Sequence, residues 1–274
     1  MKLLSWNCRG LGNPHTVQSL GLLIKEKDPD MVFLMETRLY GDRARNIARR
    51  FKFEGCIVVD AVGRSGGFLL FWKQDIHYEL FNYSKRHING FVYNKKAGPK
   101  WMLSCFYGDP IVSQRSESWR LLKSFKPDNM GWCIIGDFNE ILSNDEKKGG
   151  RIRGEHQMNL FRHVVEDGQL FDLGWRGAKF TWSNRHEDSS FTKERLDRAL
   201  ANKEWKKIFT VSSVETMTAL CSDHSPIFLD CKSGYGSGYR RSYNQFKYDA
   251  SWSKEEVCTD LISNEWLKRA DCGS

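Results

Sequence analysis

Short apolar runs alternate with amphipathic stretches from the first residues to about position 231. LLSWN (3–7) and MVFLME (31–36) place apolar side chains on consecutive positions, the pattern of strands buried on both faces. Between them Asn13-Pro14 supplies an N-cap and a first-turn proline. Val17, Leu20 and Ile24 then recur at helical spacing until Asp28-Pro29 ends the helix. Arg43 to Phe51 reads as a short basic helix. Five strand-like runs follow, CIVVDAV (56–62), GFLLFW (67–72), IHYELFNY (76–83), INGFVYN (88–94) and WMLSCFYG (101–108). Links this short predict that neighbours pair antiparallel. Helices around 116–125 and 156–166 flank WCIIGDFN (132–139), and FTWSN (180–184) and PIFLD (226–230) supply later strands. Strand-rich stretches with helices interspersed predict an α/β protein of sheets covered by helices rather than a doubly wound sheet.

The pattern breaks at Lys232. Residues 232–242 are glycine- and serine-rich and read as a linker, and Trp252, Val257, Leu261, Ile262, Trp266 and Leu267 mark an amphipathic helix in a tail, 243–274. A main domain over 1–231 is therefore expected. With 40% hydrophobic and 13% aromatic residues in 274, disorder is excluded and one large core is expected. No window approaches ~18 uninterrupted apolar residues, so no membrane association is expected. The opening MKLLSWNCRG lacks the length and cleavage site of a secretion signal, which predicts a nuclear or cytoplasmic protein that is not secreted. The eight cysteines contain no C-x-x-C pair and read as reduced thiols, most of them inside apolar runs. Net charge is +8. Residues 1–231 carry 35 basic against 28 acidic side chains, so the excess sits on the main domain and suits a polyanionic partner.

The chemistry-bearing residues fall where apolar runs stop or start: Asn7 after LLSW, Glu36 after MVFLM, Asp137 and Asn139 in GDFN, and Asp223-His224 before SPIF. Polar groups at strand ends share one rim of a sheet, where several can converge. Carboxylates, amides and one histidine make a poor zinc set but a good set for Mg²⁺ or Mn²⁺. A hard cation with a histidine nearby is the equipment for phosphate-ester hydrolysis. Each residue alone has a plainer explanation: Asn7 as a turn cap, Glu36 as a rim charge, GDFN as a turn, Asp223 as a cap beside a structural histidine. Their combination in this order is what points to chemistry.

LLSWNCRGL (3–11), MVFLMETR (31–38), CFYGDP (105–110), IIGDFNEI (134–141), KFTWSN (179–184), ERLDRAL (194–200) and CSDHSPI (221–227) together resemble the endonuclease/exonuclease/phosphatase family. WNCRGLG, SGGFLLFW, FTWSN and RLDRAL are most similar to the endonuclease domains of plant LINE-type (non-LTR) retrotransposons, and the tail is similar to the segment preceding their reverse transcriptase. The resemblance implies a deoxyribonuclease-I-like fold, a two-layer β-sandwich flanked by helices on both outer faces. It implies Glu36 as principal metal ligand with Asn7 beside it and Asp223 as a further metal-side carboxylate. It also implies Asp137 and Asn139 positioning water and phosphate, His224 on the scissile phosphate with Asp197 as its partner, and Tyr107 bonded to phosphate. Thr181 and Ser222 match positions near a DNA backbone. Two departures stand out: Tyr107 is followed by Gly-Asp-Pro, and RHEDSSFTKE adds Glu187 and Asp188 on a loop near the expected DNA.

Arg9, Arg38, Arg64, Lys147, Lys148, Arg151, Arg153, Arg185 and Arg195 are the candidate cations for a DNA footprint, with KKGGRIRGE (147–155) the densest cluster. Trp182 is read as a core aromatic before a stacking platform. The leading expectation is a monomeric, Mg²⁺-dependent (or Mn²⁺-dependent) DNA endonuclease that leaves a 3′-hydroxyl, in relatives fused to a reverse transcriptase. The alternatives are an abasic-site repair nuclease, another phosphodiesterase of the same superfamily, or a catalytically silent nucleic-acid-binding remnant.

Overall fold

The computed structural model describes residues 1–63, 65–94, 99–219 and 221–232. The expected linker beyond Lys232, the tail helix and Arg64 lie outside the described residues. The chain opens with β1 (Lys2–Asn7), α1 (Pro14–Lys27), β2 (Met31–Met35) and α2 (Gly41–Arg50). Five strands follow: β3 (Gly55–Val62), β4 (Ser65–Trp72), β5 (Ile76–Ser84), β6 (His87–Asn94) and β7 (Trp101–Tyr107). Next come α3 (Arg115–Lys123), β8 (Trp132–Asp137), β9 (Lys147–Lys148) and α4 (Glu155–Asp167). The last stretch holds β10 (Leu170–Asp172), β11 (Arg176–Gly177), β12 (Trp182–Ser183), β13 (Lys193–Glu194) and β14 (Asp197–Asn202). It closes with α5 (Lys203–Ile208), β15 (Val211–Thr216) and β16 (Ile227–Lys232).

A seven-stranded sheet runs in the order β11-β15-β16-β1-β2-β4-β3, and a six-stranded sheet in the order β10-β14-β8-β7-β6-β5. Side-chain alternation along each strand builds the layers. Leu3, Phe33 and Leu70 from the first sheet meet Leu103, Cys105, Ile135 and Ala199 from the second in one core between the sheets. Leu4, Trp6, Val32 and Leu34 point the other way, against Val17 and Leu20 of α1 and Ala44 and Ala48 of α2. Phe106, Trp132 and Ile134 likewise meet Trp119 and Leu122 of α3 and Phe161 and Val164 of α4. Helices thus cover both outer faces of a β-sandwich, the expected α/β architecture. Among the described residues no helix is long and apolar enough to cross a membrane. The six described cysteines, Cys8, Cys56, Cys105, Cys133, Cys221 and Cys231, are free thiols.

Local signals explain several boundaries. The Asn13 side chain accepts from the His15 amide at 3.0 Å, Pro14 occupies the first turn, and Asp28 caps the C-terminus of α1 at φ 47°. Gly136 has φ 149°, and a Cβ there would lie 1.9 Å from the Phe106 carbonyl oxygen, so only glycine lets β8 approach β7 this closely.

Two strand expectations need correction. The three-residue link 73–75 does not close a hairpin, because β4 and β5 lie in different sheets. Three residues are enough to step across the ~10 Å between packed sheets, so tight spacing alone did not decide pairing. FTWSN contributes only Trp182 and Ser183, in a small third sheet of order β12-β13-β9.

Candidate active site

Strand ends from both sheets deliver the candidate residues to one rim of the sandwich. In the seven-stranded sheet β1 ends at Asn7, opposite Met35 in the parallel register, and Glu36 follows one residue later. Glu36 adopts φ 53°, which breaks strand alternation and re-aims its side chain. In the six-stranded sheet Tyr107, Asp137 and Asp197 form a single row, with Tyr107 paired to Asp137 and Asp137 to Asp197. His224 rides the loop before β16. That loop is fastened to β1 by Ser222 Oγ donating to the Asn7 carbonyl (2.7 Å) and Trp6 Nε1 donating to the His224 carbonyl (3.1 Å).

Hydrogen bonds then link the two sheets. Asn7 Nδ2 donates to Asp137 Oδ2 at 2.9 Å, and the Asn139 amide donates to Asp137 Oδ1 at 2.9 Å. His224 Nδ1 lies 2.9 Å from Asp197 Oδ2, and His224 Nε2 lies 3.7 Å from Asp137 Oδ2. Asn7, Asp137, Asp197 and His224 are all at most 3% exposed. Burial alone would keep His224 neutral, but the carboxylates of Asp197 and Asp137 outweigh it and raise the imidazole above its ordinary value. Burial, reinforced by the Asp197 charge, raises Asp137 above the usual carboxylate range, while His224 and Asn7 pull it back. Burial also raises the Tyr107 phenol, and the Asp137 and Glu36 carboxylates add to it. Glu36 is held by the Gly66 amide at 2.9 Å.

Asn7 Oδ1 is buried without a hydrogen-bond partner. An orphaned amide oxygen beside a carboxylate-bearing strand end is an acceptor that a hard cation satisfies, so the residues present fit such an ion. Asp137, Asp197 and His224 also bring ligand atoms within 4.8 Å of one another, but Asp197 is engaged by His224 Nδ1 and Asp137 by Asn7 and the Asn139 amide.

Asn7, Tyr107, Asn139 and His224 open onto a cleft of about 380 Å³ whose far wall is Arg115, Lys147, Arg153, Glu194 and Trp182. The candidate cations divide there. Lys148 and Arg151 are exposed, and Arg38 is exposed with Nε 4.0 Å from Glu36. Lys147 and Arg153 both pair with the buried Glu194, and Arg153 also lies 3.2 Å from Glu140. Arg9 pairs with Asp223. Three expectations are revised. Arg195 is 2% exposed, locked with Arg198 onto Glu146 and Asp172, so it belongs to the interior. Thr181 and Ser222 are buried as well: Thr181 Oγ1 accepts from the Leu196 and Asp197 amides, and Ser222 Oγ joins Asn7 to the His224 amide. Their hydroxyls position site residues instead of facing a ligand. Arg185 donates to the Ser222 carbonyl. Trp182 is half-buried against Ile141, Met158 and Leu196, as a core aromatic should be. Glu194, Glu140 and Arg115 were not flagged by the sequence, since a lone charge between motifs carries no spacing signal.

The fold and this rim of carboxylates, amides and histidine define a phosphoester-hydrolase type of site. Residues 4–224 match the endonuclease/exonuclease/phosphatase family, and the chain belongs to it. No curated protein sequence matches the chain. Among solved structures it is similar to the 3′-5′ exonuclease NExo from Neisseria meningitidis (TM-score 0.65, 18% identity, covering 84% of this chain and 99% of that one). It is similar to an AP endonuclease, LMAP, from Leishmania major (0.64, 16%, 83% and 86%). It is also similar to the endonuclease domain of TRAS1, a telomere-specific non-LTR retrotransposon (0.61, 12%, 85% and 99%). At these identities the likenesses establish the fold.

Proposed function

We propose that the chain is a divalent-metal-dependent DNA endonuclease that hydrolyses a phosphodiester and leaves a 3′-hydroxyl, as a LINE-type retroelement needs to prime reverse transcription. The observation that carries the reading is the buried chain Asn7–Asp137–His224–Asp197, whose Asn7 and His224 line the cleft. The basic main domain and the WNCRGLG, FTWSN and RLDRAL motifs support nucleic acid and the retroelement branch.

In this reading His224, held in its charged form and oriented by Asp197, presents Nε2–H to a phosphate oxygen. Asp137 Oδ2 accepts the proton of the attacking water, while Asn7 Nδ2 and the Asn139 amide keep the carboxylate from turning. Tyr107 and Asn139 line the phosphate's side of the cleft. Glu36 and Asn7 Oδ1 would hold Mg²⁺, which supplies neutralisation of phosphoryl charge and stabilisation of the leaving oxygen.

The test is supercoiled plasmid incubated with purified protein and Mg²⁺ or Mn²⁺, followed by polymerase extension of the nicks. Relaxed, extendable circles that vanish with chelator are expected. Absence of nicking, or nicking indifferent to chelator, overturns the reading, and cleavage confined to abasic duplex selects the repair-type alternative.

A further inference from the structure

We infer that Arg9 takes the place of a second cation, so that this site holds one divalent ion, on the Glu36 and Asn7 side, and none at Asp223. The inference deepens the metal-dependent reading and rests on it.

Asp223 precedes His224 and by resemblance is a further metal-side carboxylate. In the structure both its oxygens are engaged. Arg9 Nε donates to Oδ1 at 2.9 Å, an Arg9 terminal nitrogen donates to Oδ2 at 2.7 Å, and Trp182 Nε1 donates to Oδ2 at 3.0 Å. A guanidinium fork on a carboxylate is among the strongest of protein ion pairs, and it stays charged at any pH the fold survives. An arriving cation would have to displace that fork and then sit against the guanidinium it displaced.

The backbone delivers Arg9 to this position. Directly after β1, Arg9 takes φ 54° and Gly10 φ 124°, and this reversal folds the arginine back toward the loop that carries Asp223. The same loop is tied to Asn7 by Ser222, so the pair is braced at both ends. Arg9 lines the cleft with its side chain 42% exposed, which places a fixed positive charge where phosphate enters. The contrast with the other donors is sharp. Asn7 Oδ1 is buried and unpartnered, whereas Asp223 has no oxygen left over. One donor set is open to an ion and the other is closed by a residue of the chain itself.

Mn²⁺ titration of the full chain, followed by calorimetry and by electron paramagnetic resonance of free Mn²⁺, tests this without any turnover. Wild type should bind one ion, and Glu36→Gln should weaken it at least tenfold. Arg9→Ala, and Arg9→Gln as a bulkier control for folding, should bind two ions. Adding Asp223→Asn to either should return the count to one. Two ions on wild type, or one ion on both Arg9 variants, overturns the inference while leaving a metal nuclease standing. No ion on wild type overturns the metal-dependent reading and this inference together.

Discussion

Asp137 carries its charge without solvent. Its two oxygens accept from Asn7 and Asn139, and the His224 imidazole lies 3.7 Å away. Asp137→Asn keeps the shape and removes the proton acceptor. Plasmid nicking should fall at least ~10²-fold, the scale of losing one preorganised transition-state group. Its melting temperature should not fall, because a buried charge disappears with the function. A variant nicking at the wild-type rate would disprove the assigned role. His224→Ala should behave differently. It leaves Asp137 and Asp197 buried side by side without their shared cation, a loss worth about 3–5 kcal/mol. Urea melts at pH 7 should show this deficit. The identities of these residues were legible in the sequence, because hard ligands at the ends of apolar runs stand out. Their burial was not: a charge ending a strand looks like a solvated rim until a second sheet is packed across it. The same blindness misplaced Arg195, Thr181 and Ser222.

At the scale of elements, the β5–β6 turn holds a histidine that burial keeps neutral. His87 is 3% exposed, its Nδ1 is 2.8 Å from Ser84 Oγ, its Nε2 is 2.9 Å from Asn82 Oδ1, and Phe125 lies against its ring. Burial pushes its pKa down to about 4. The unfolded chain takes up this proton near the ordinary value of ~6.5. Stability from His87 is therefore complete above about pH 6.5, is lost as pH falls toward 4, and amounts to about 2–3 kcal/mol over that window. Urea midpoints of wild type should fall across it, and His87→Gln should remove this part of the slope; equal slopes would show the ring is not desolvated. Long, strongly apolar elements such as β1, β2, β7 and β8 were legible, as was α1 from its cap and proline. β15, VSSVET, was not, because its two serines and glutamate dilute the apolar period. The crossing from β4 to β5 was hidden for a different reason: a short link is compatible with a hairpin and with a step between sheets.

At the scale of the molecule, the positive charge of residues 1–231 predicts DNA binding that weakens with salt, with a log–log slope of about −0.9 per phosphate contacted. The structure refines which cations contribute. Lys148 and Arg151 are exposed, whereas Lys147 and Arg153 are engaged by buried Glu194. Replacing Lys148 and Arg151 together with alanine should make the slope shallower by about 1–2 and leave the melting temperature unchanged. Lys147→Met should instead lower the melting temperature, because Glu194 loses a counterion inside the fold. Fluorescence anisotropy on duplex DNA from 50 to 200 mM salt measures the first effect. An unchanged slope would exclude the loop from the footprint.

β16 lies between β15 and β1, so the last strand described completes the sheet beside the first. A ribosome delivers these two strands in the opposite order of their need. β1 is made before the other strands of the sheet and then waits, one edge unpaired, while more than two hundred residues follow. His224 travels just ahead of that final strand, and Asn7 waits at the end of the first. The cleft therefore forms only once residues up to about 232 have been made. A chain interrupted before residue 227 has the strands that lead to Glu36 and Asp137 but no strand to pair with β1 and β15, so its cleft should stay unformed.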